Sequence, residues 1–209
     1  DREHMDAYGS FADLQQAFID FANKVPFYGA VVACADDAEL SAIVPRFRRR
    51  VIRYGIESPD ATLVATDVAL AGFGSTCRVE RRERRGSEVL GELSLAVPGR
   101  HSVLNALAAV SVGLELDVPF AKIAAALGEF KGAERRFEKR GVVGGITVID
   151  DYGHHPTEIA AVLSAARAAK PVRVVVAFQP HRYSRTRDLM AEFGAALSSA
   201  DEVVLTNIY

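Results

Sequence analysis

The chain has 209 residues, 49% of them hydrophobic and 25% charged, enough for a sizeable core and one or two domains. A formal net charge of −2 excludes a general electrostatic attraction to nucleic acid or an anionic membrane, and no apolar run is long enough to span a bilayer. Cys34 and Cys77 fit neither a disulfide framework nor a metal-ligand spacing, which implies reduced thiols and a cytoplasmic setting.

The chain begins on Asp1 and closes after an apolar strand pattern, Val203-Val204-Leu205, so both ends are expected to be cuts through a larger protein. From Phe11 to Lys24 the spacing predicts a helix. Ser10 is its N-cap, Asp13 places a negative charge in the first turn, and Phe11, Leu14, Phe18 and Phe21 form the expected core face. Tyr28 to Ala35 reads as a buried strand, and Asp36-Asp37 then opens a short helix that Pro45 stops. From Arg48 the period changes to two. Strands are predicted over 51–54, 61–69, 76–83 and 88–97, with Gly86-Ser87 as a hairpin turn. The arginines between Arg78 and Arg85 are interrupted by Glu80 and Glu83, which favours a solvated hairpin arm over a phosphate site.

A helix from Ser102 to Leu116 follows, with Val103, Ala106, Leu107, Val110 and Leu114 as its apolar stripe. Asn105 interrupts it; a mid-helix Asn either serves a function or faces solvent. After a further helix from Phe120 to Phe130, the charged segment Lys131–Glu138 reads as a link between domains. The domains expected are therefore residues 1–133 and 134–209. The second alternates strand and helix as βαβαβ, which implies a parallel sheet with right-handed crossovers.

Two loops of that second half gather the chemistry. The first is Asp150-Asp-Tyr-Gly-His-His-Pro-Thr-Glu158, between the strand Ile146–Ile149 and a helix that Pro156 can open. In open α/β sheets, ligands bind beyond the carboxyl ends of the strands, where this loop lies. The second runs from Gln179 to Asp188 and holds His181, Arg182 and Arg185. A planar guanidinium can donate two parallel hydrogen bonds to a carboxylate or phosphate. All five histidines (His4, His101, His154, His155 and His181) fall in or beside candidate loops.

Three stretches together resemble the Mur ligases of peptidoglycan synthesis: Gly99-Arg-His-Ser-Val-Leu-Asn105-Ala-Leu-Ala-Ala109, Arg136-Phe-Glu138, and Asp151-Tyr-Gly-His154-His-Pro156. Glu3-His4-Met5-Asp6 is similar to a further family element. Pro26-Phe-Tyr-Gly29 and Phe178–Asp188 resemble the branch that takes UDP-N-acetylmuramate and L-alanine as substrates. The resemblance implies an α/β fold: a partial central ligase domain with a mixed sheet, then a partial Rossmann-like C-terminal domain. It implies an ATP-dependent amide ligase that uses Mg²⁺ and proceeds through an acyl phosphate. His4 then resembles a Mg²⁺ ligand, Asn105 the adenine contact, Arg136 an arginine reaching ATP, and Asp151 the carboxylate on the ribose hydroxyls, with Asp150 as the alternative. Tyr152, His154, His181, Arg182 and Arg185 resemble the amino-acid end; His154 and Arg182 are the catalytic candidates.

The departures are informative too. Ser102 stands where the family motif has Asn, and Glu3 where it has Asp. No G-x-x-x-x-G-K-[ST] motif occurs in these 209 residues, so the phosphate-cradling loop is expected upstream in a longer parent, and the chain alone is expected to be inactive. Competing readings are a ligase that recycles murein tripeptide, a non-catalytic nucleotide or amino-acid binding module, and a metal hydrolase. The last is weak, because His154 and His155 are adjacent and point apart, unlike i,i+4 ligands on one helix face.

Overall fold

The computed structural model describes residues 5, 7–83 and 86–209. The chain divides into two compact units. One comprises residues 1–69, 76–94 and 102–129; the other comprises 70–75, 95–101 and 130–209.

The first unit opens with helix α1, Phe11–Asn23. Its N-cap is Ser10, whose hydroxyl oxygen accepts the Asp13 N–H at 3.2 Å and donates to the Asp13 carboxylate at 2.7 Å. The expected core face is only partly right. Leu14, Ile19 and Ala22 are buried, whereas Phe18 and Phe21 are 54% and 74% exposed. The apolar residues of this helix cover a face wide enough to hold two overlapping stripes opposite Asp13, Gln16, Asp20 and Asn23, so helical spacing alone cannot choose between them.

Strand β1 (Ala30–Cys34) pairs in parallel with β2 (Arg50–Gly55), and β2 pairs in parallel with the start of β3 (Leu63–Ala71). Between β1 and β2 lie helix α2 (Ala38–Ile43) and a 3₁₀ turn, Val44–Arg46. Asp37 caps α2 by accepting the Leu40 N–H at 2.7 Å. β4 (Gly74–Glu83) and β5 (Gly86–Leu95) complete the sheet in the order β1-β2-β3-β4-β5. Gly86-Ser87, expected as the hairpin turn, instead begin strand β5, and Arg84 and Arg85 fall outside the described residues.

At the carboxyl ends of β1 and β2, the Asp36 carboxylate accepts the backbone N–H groups of Ile56 (2.9 Å), Glu57 (3.2 Å) and Ser58 (2.9 Å). A Cβ on Gly55 would lie 2.4 Å from Asp36 Oδ1, so glycine is required there for this clamp to close. Helix α3 (Arg100–Glu115) buries Val103, Ala106, Leu107 and Val110 of the stripe read from spacing, leaves Leu114 of that stripe half-buried, and leaves Asn105 exposed. Helix α4 (Phe120–Glu129) buries Ile123.

The second unit contains β6 (Glu138–Val143) and β7 (Ile146–Asp150), an antiparallel pair. The two residues between them, Gly144 and Gly145, both have positive φ (58° and 81°), as a tight two-residue hairpin requires. This corrects the βαβαβ expectation in one respect: β7 hydrogen-bonds to β6 and not to β8. β6 starts at the last residue of the charged link, Glu138, and continues through Lys139 and Arg140, so its polar start gave no strand signal; an edge hairpin tolerates polar side chains that a buried strand excludes. The rest follows the expected alternation. Helix α5 (Pro156–Ala168) leads to β8 (Val175–Phe178), and helices α6 (Tyr183–Asp188) and α7 (Met190–Leu197) lead to β9 (Glu202–Leu205). β8 and β9 pair in parallel, with Phe178 opposite Leu205. Ile159 and Leu163 of α5, Val174 and Phe178, and Phe193, Ala196 and Leu197 of α7 form the core of this unit. Among the described residues, no helix is long and apolar enough to cross a membrane.

Candidate functional site

The β7–α5 loop is held from four directions. Pro156 occupies the first turn of α5, as its missing N–H allows. His155 is the N-cap, buried, with Nδ1 accepting the Thr157 N–H at 3.4 Å. Glu158 reaches back to accept the N–H groups of His154 (2.9 Å) and His155 (3.2 Å), which completes a capping box. Burial pushes the Glu158 carboxyl up. The His154 N–H, the Arg136 guanidinium at 3.2 Å and the His155 N–H outweigh it, so the net shift is below the usual carboxylate range.

A group whose folded pKa is depressed stabilises the fold above its unfolded value and loses that contribution as pH falls through the folded value. Glu158→Gln keeps an acceptor but loses the charge. At neutral pH it is expected to lower stability by about 1 kcal/mol. The gap to wild type should begin to narrow as pH falls to the ordinary carboxylate value and close as pH passes through the lowered folded value, where the wild-type carboxyl protonates as well. Melting temperatures of both proteins over an acid-to-neutral pH series check this; a gap that does not narrow as the pH is lowered would remove the charge from the explanation.

Asp151 is the second anchor. One carboxylate oxygen accepts the Gly153 N–H at 2.6 Å and the other the Phe137 N–H at 2.7 Å. The Tyr152 N–H in turn donates to the Arg135 carbonyl at 2.7 Å. Residues 135–137 are thus tied to the loop by backbone hydrogen bonds, and they take a strained path, with φ of 55° at Arg135 and 50° at Phe137. Such strain persists only where surrounding contacts enforce it, and it clusters at functional sites. The result is that Arg136, between the two strained residues, is directed to Glu158.

Over this frame, the Arg135 guanidinium lies 4.8 Å from the Tyr152 ring centre. The Tyr152 ring meets His154 edge-on at 5.3 Å. His154 Nδ1 lies 2.9 Å from the Tyr152 carbonyl and 3.5 Å from Glu158 Oε2. Asp150 pairs with Arg135 at 3.6 Å. His101 lies within electrostatic range of Asp151. Burial lowers the His101 pKa and the negative charge of Asp151 partly opposes this, so the imidazole is held toward its neutral form.

The β8–α6 loop forms a second cluster. Arg182 is the N-cap of α6 with φ 69°, and Arg185 lies within the helix. The His181 ring stacks on Tyr209 at 5.3 Å. The helical segment after this loop begins at Tyr183 and is interrupted at Leu189. Asn105 stands exposed on α3 in the first unit. His4 lies outside the described residues, and among those described no group of three or more His, Cys, Asp or Glu is placed to hold a metal.

Three residues that organise these loops escape a reading of the sequence. Glu158 had a signal, since an acidic residue three positions after an N-cap marks a capping box. Arg135 and Tyr209 had none; their partners are brought to them by the tertiary fold.

The profile of the Mur ligase middle domain matches residues 1–113, and that of the Mur ligase glutamate ligase domain matches residues 135–208. The chain belongs to the Mur ligase family. Similar family members include the UDP-N-acetylmuramate–L-alanine ligase of Koribacter versatilis, 48% identical over 214 residues. The enzyme of the same name from Acidithiobacillus ferrooxidans is 49% identical over 211 residues. Each alignment covers 100% of this chain and 45% of the relative; the chain spans less than half the length of these Mur ligases. Among solved structures, the UDP-N-acetylmuramate-alanine ligase of Thermotoga maritima superposes with a TM-score of 0.77 at 32% identity, over 100% of this chain and 44% of that one. The fold is shared more widely, as with MurF of Acinetobacter baumannii (TM-score 0.74, 21% identity, 98% of this chain and 48% of that one).

Proposed function

We propose that this chain is the nucleotide- and amino-acid-binding part of an ATP-dependent ligase that joins L-alanine to UDP-N-acetylmuramate in the cytoplasm. On this reading residues 1–133 are the later part of the ATP-binding domain and residues 134–209 the first half of the C-terminal domain. The observation that carries it is identity of 48–49% over the whole chain to relatives of that name, with the motif loops intact. The reaction would transfer the γ-phosphoryl of ATP to the muramoyl carboxylate. The alanine amine would then add to the acyl phosphate carbonyl, and phosphate would leave as the amine loses its proton.

In this scheme the residues of the chain bind and orient. Asn105, exposed on α3, offers both a donor and an acceptor to the adenine edge. Asp151 is held rigidly by two backbone N–H groups, and each of its oxygens keeps a lone pair for a ribose hydroxyl. Arg136, steered by Glu158, carries positive charge toward the nucleotide. Tyr152, His154, His181, Arg182 and Arg185 form the amino-acid end, where guanidiniums hold the carboxylate and leave the amine free to attack. A divalent cation, when bound, would neutralise phosphoryl charge, and its assignment rests on His4 alone.

The test is an assay of the full-length protein that carries this segment, with ATP, UDP-N-acetylmuramate and L-alanine. Amide product with one ADP per bond is expected, and none when murein tripeptide replaces L-alanine. Product with the tripeptide only, or no amide with either, would overturn the reading.

A further inference from the structure

The parallel pairing of β8 and β9 does not stop at the strand ends. The Thr206 N–H donates to the Phe178 carbonyl at 3.1 Å, the Tyr209 N–H to the Pro180 carbonyl at 3.0 Å, and the Arg182 N–H to the Tyr209 carbonyl at 2.9 Å. The segment after β9 therefore runs beside the β8–α6 loop and grips it on both sides of His181. The Tyr209 ring lies flat on the His181 imidazole, with centroids 5.3 Å apart and planes 26° apart. The Arg182 carbonyl is held as well, accepting the Thr186 N–H at 3.1 Å and the Thr186 hydroxyl at 2.9 Å, and Thr186 is buried. Arg182 thus sits at φ 69° and ψ 123°, a backbone conformation that non-glycine residues rarely keep without external restraint.

We propose that Tyr209 is a positioning residue for the amino-acid pocket, fixing His181 by stacking and Arg182 through its backbone so that the guanidinium is presented at a set angle. This rests on the assignment of Arg182 to the L-alanine carboxylate. A bidentate guanidinium bond depends on angle as well as distance, so loosening the loop weakens carboxylate binding without touching the nucleotide.

The experiment uses the full-length protein with Tyr209→Leu, which keeps apolar bulk without a flat ring, and Tyr209→Phe, which keeps the ring. Tyr209→Leu is expected to raise the KM for L-alanine about three- to tenfold, the factor that an aromatic stacking contact corresponds to. The KM for ATP should stay at its wild-type value, and Tyr209→Phe should restore the alanine KM. In parallel, the His181 Cε1–H resonance should lose its ring-current shift in Tyr209→Leu and keep it in Tyr209→Phe. An unchanged alanine KM and an unchanged His181 resonance in Tyr209→Leu would overturn the proposal, as would equal effects of the two variants. Arg182→Lys is the reference. If it leaves the alanine KM unchanged, the assignment of the pocket has failed, and the His181 resonance alone then decides whether Tyr209 positions the loop.

Discussion

Replacing Arg182 or Arg185 by Lys in the full-length protein is expected to raise the KM for L-alanine about ten- to a hundredfold, with little change in the KM for ATP. The change keeps the positive charge but removes the planar fork that holds a carboxylate through two parallel bonds. Losing one charge-assisted hydrogen bond corresponds to roughly 1.5–3 kcal/mol, which sets that range. The residues are three apart, one at the N-cap of α6 and one within it, so their side chains can share a side. The matched control is Asp151→Asn, expected to act mainly on ATP through the ribose. The structure adds a condition to it. Asp151 accepts N–H groups from both Phe137 and Gly153, and an asparagine would set its NH₂ against one of these donors. Its melting temperature must therefore be measured alongside, to separate loss of the clamp from loss of the nucleotide contact. If both arginine variants weaken ATP and spare alanine, the guanidiniums belong to the nucleotide site.

The second large effect concerns the 209 residues on their own. They contain no G-x-x-x-x-G-K-[ST] motif, so the β- and γ-phosphates would lack the backbone donors and the lysine that cradle them in such loops. Each donor aimed at developing charge is worth about 10²–10³ in rate, and several would be missing together. The purified 209-residue chain is expected to show no ATP-dependent phosphate release and no amide formation. Phosphate release that co-purifies with the chain and is abolished by Asp151→Asn would overturn this expectation.

Much of the architecture was legible in the residues. The α3 stripe, the Ser10 cap, the Pro156 helix start and the placement of chemistry in two strand-to-helix loops all follow from local rules. Periodicity, capping and proline geometry act within a few residues of one another and need no partner from afar. Where those rules give two answers they fail, as on α1, whose apolar surface offers two stripes and buries the one through Ile19 and Ala22. They fail also at β6, whose charged start, Glu138-Lys139-Arg140, gives no strand signal.

The candidate site divides in the same way. The sequence by itself determined the family, the identity of the motif side chains and their assignment to two loops, because these are properties of residue type, order and spacing. Only the tertiary structure decided how they are held. It ties residues 135–137 to Asp151, directs Arg136 to Glu158, and lays Tyr209 on His181. Each of these contacts joins residues 14 or more positions apart, brought together by strand pairing and helix packing. No local propensity encodes which distant backbone N–H will meet which carboxylate; the cooperative fold does.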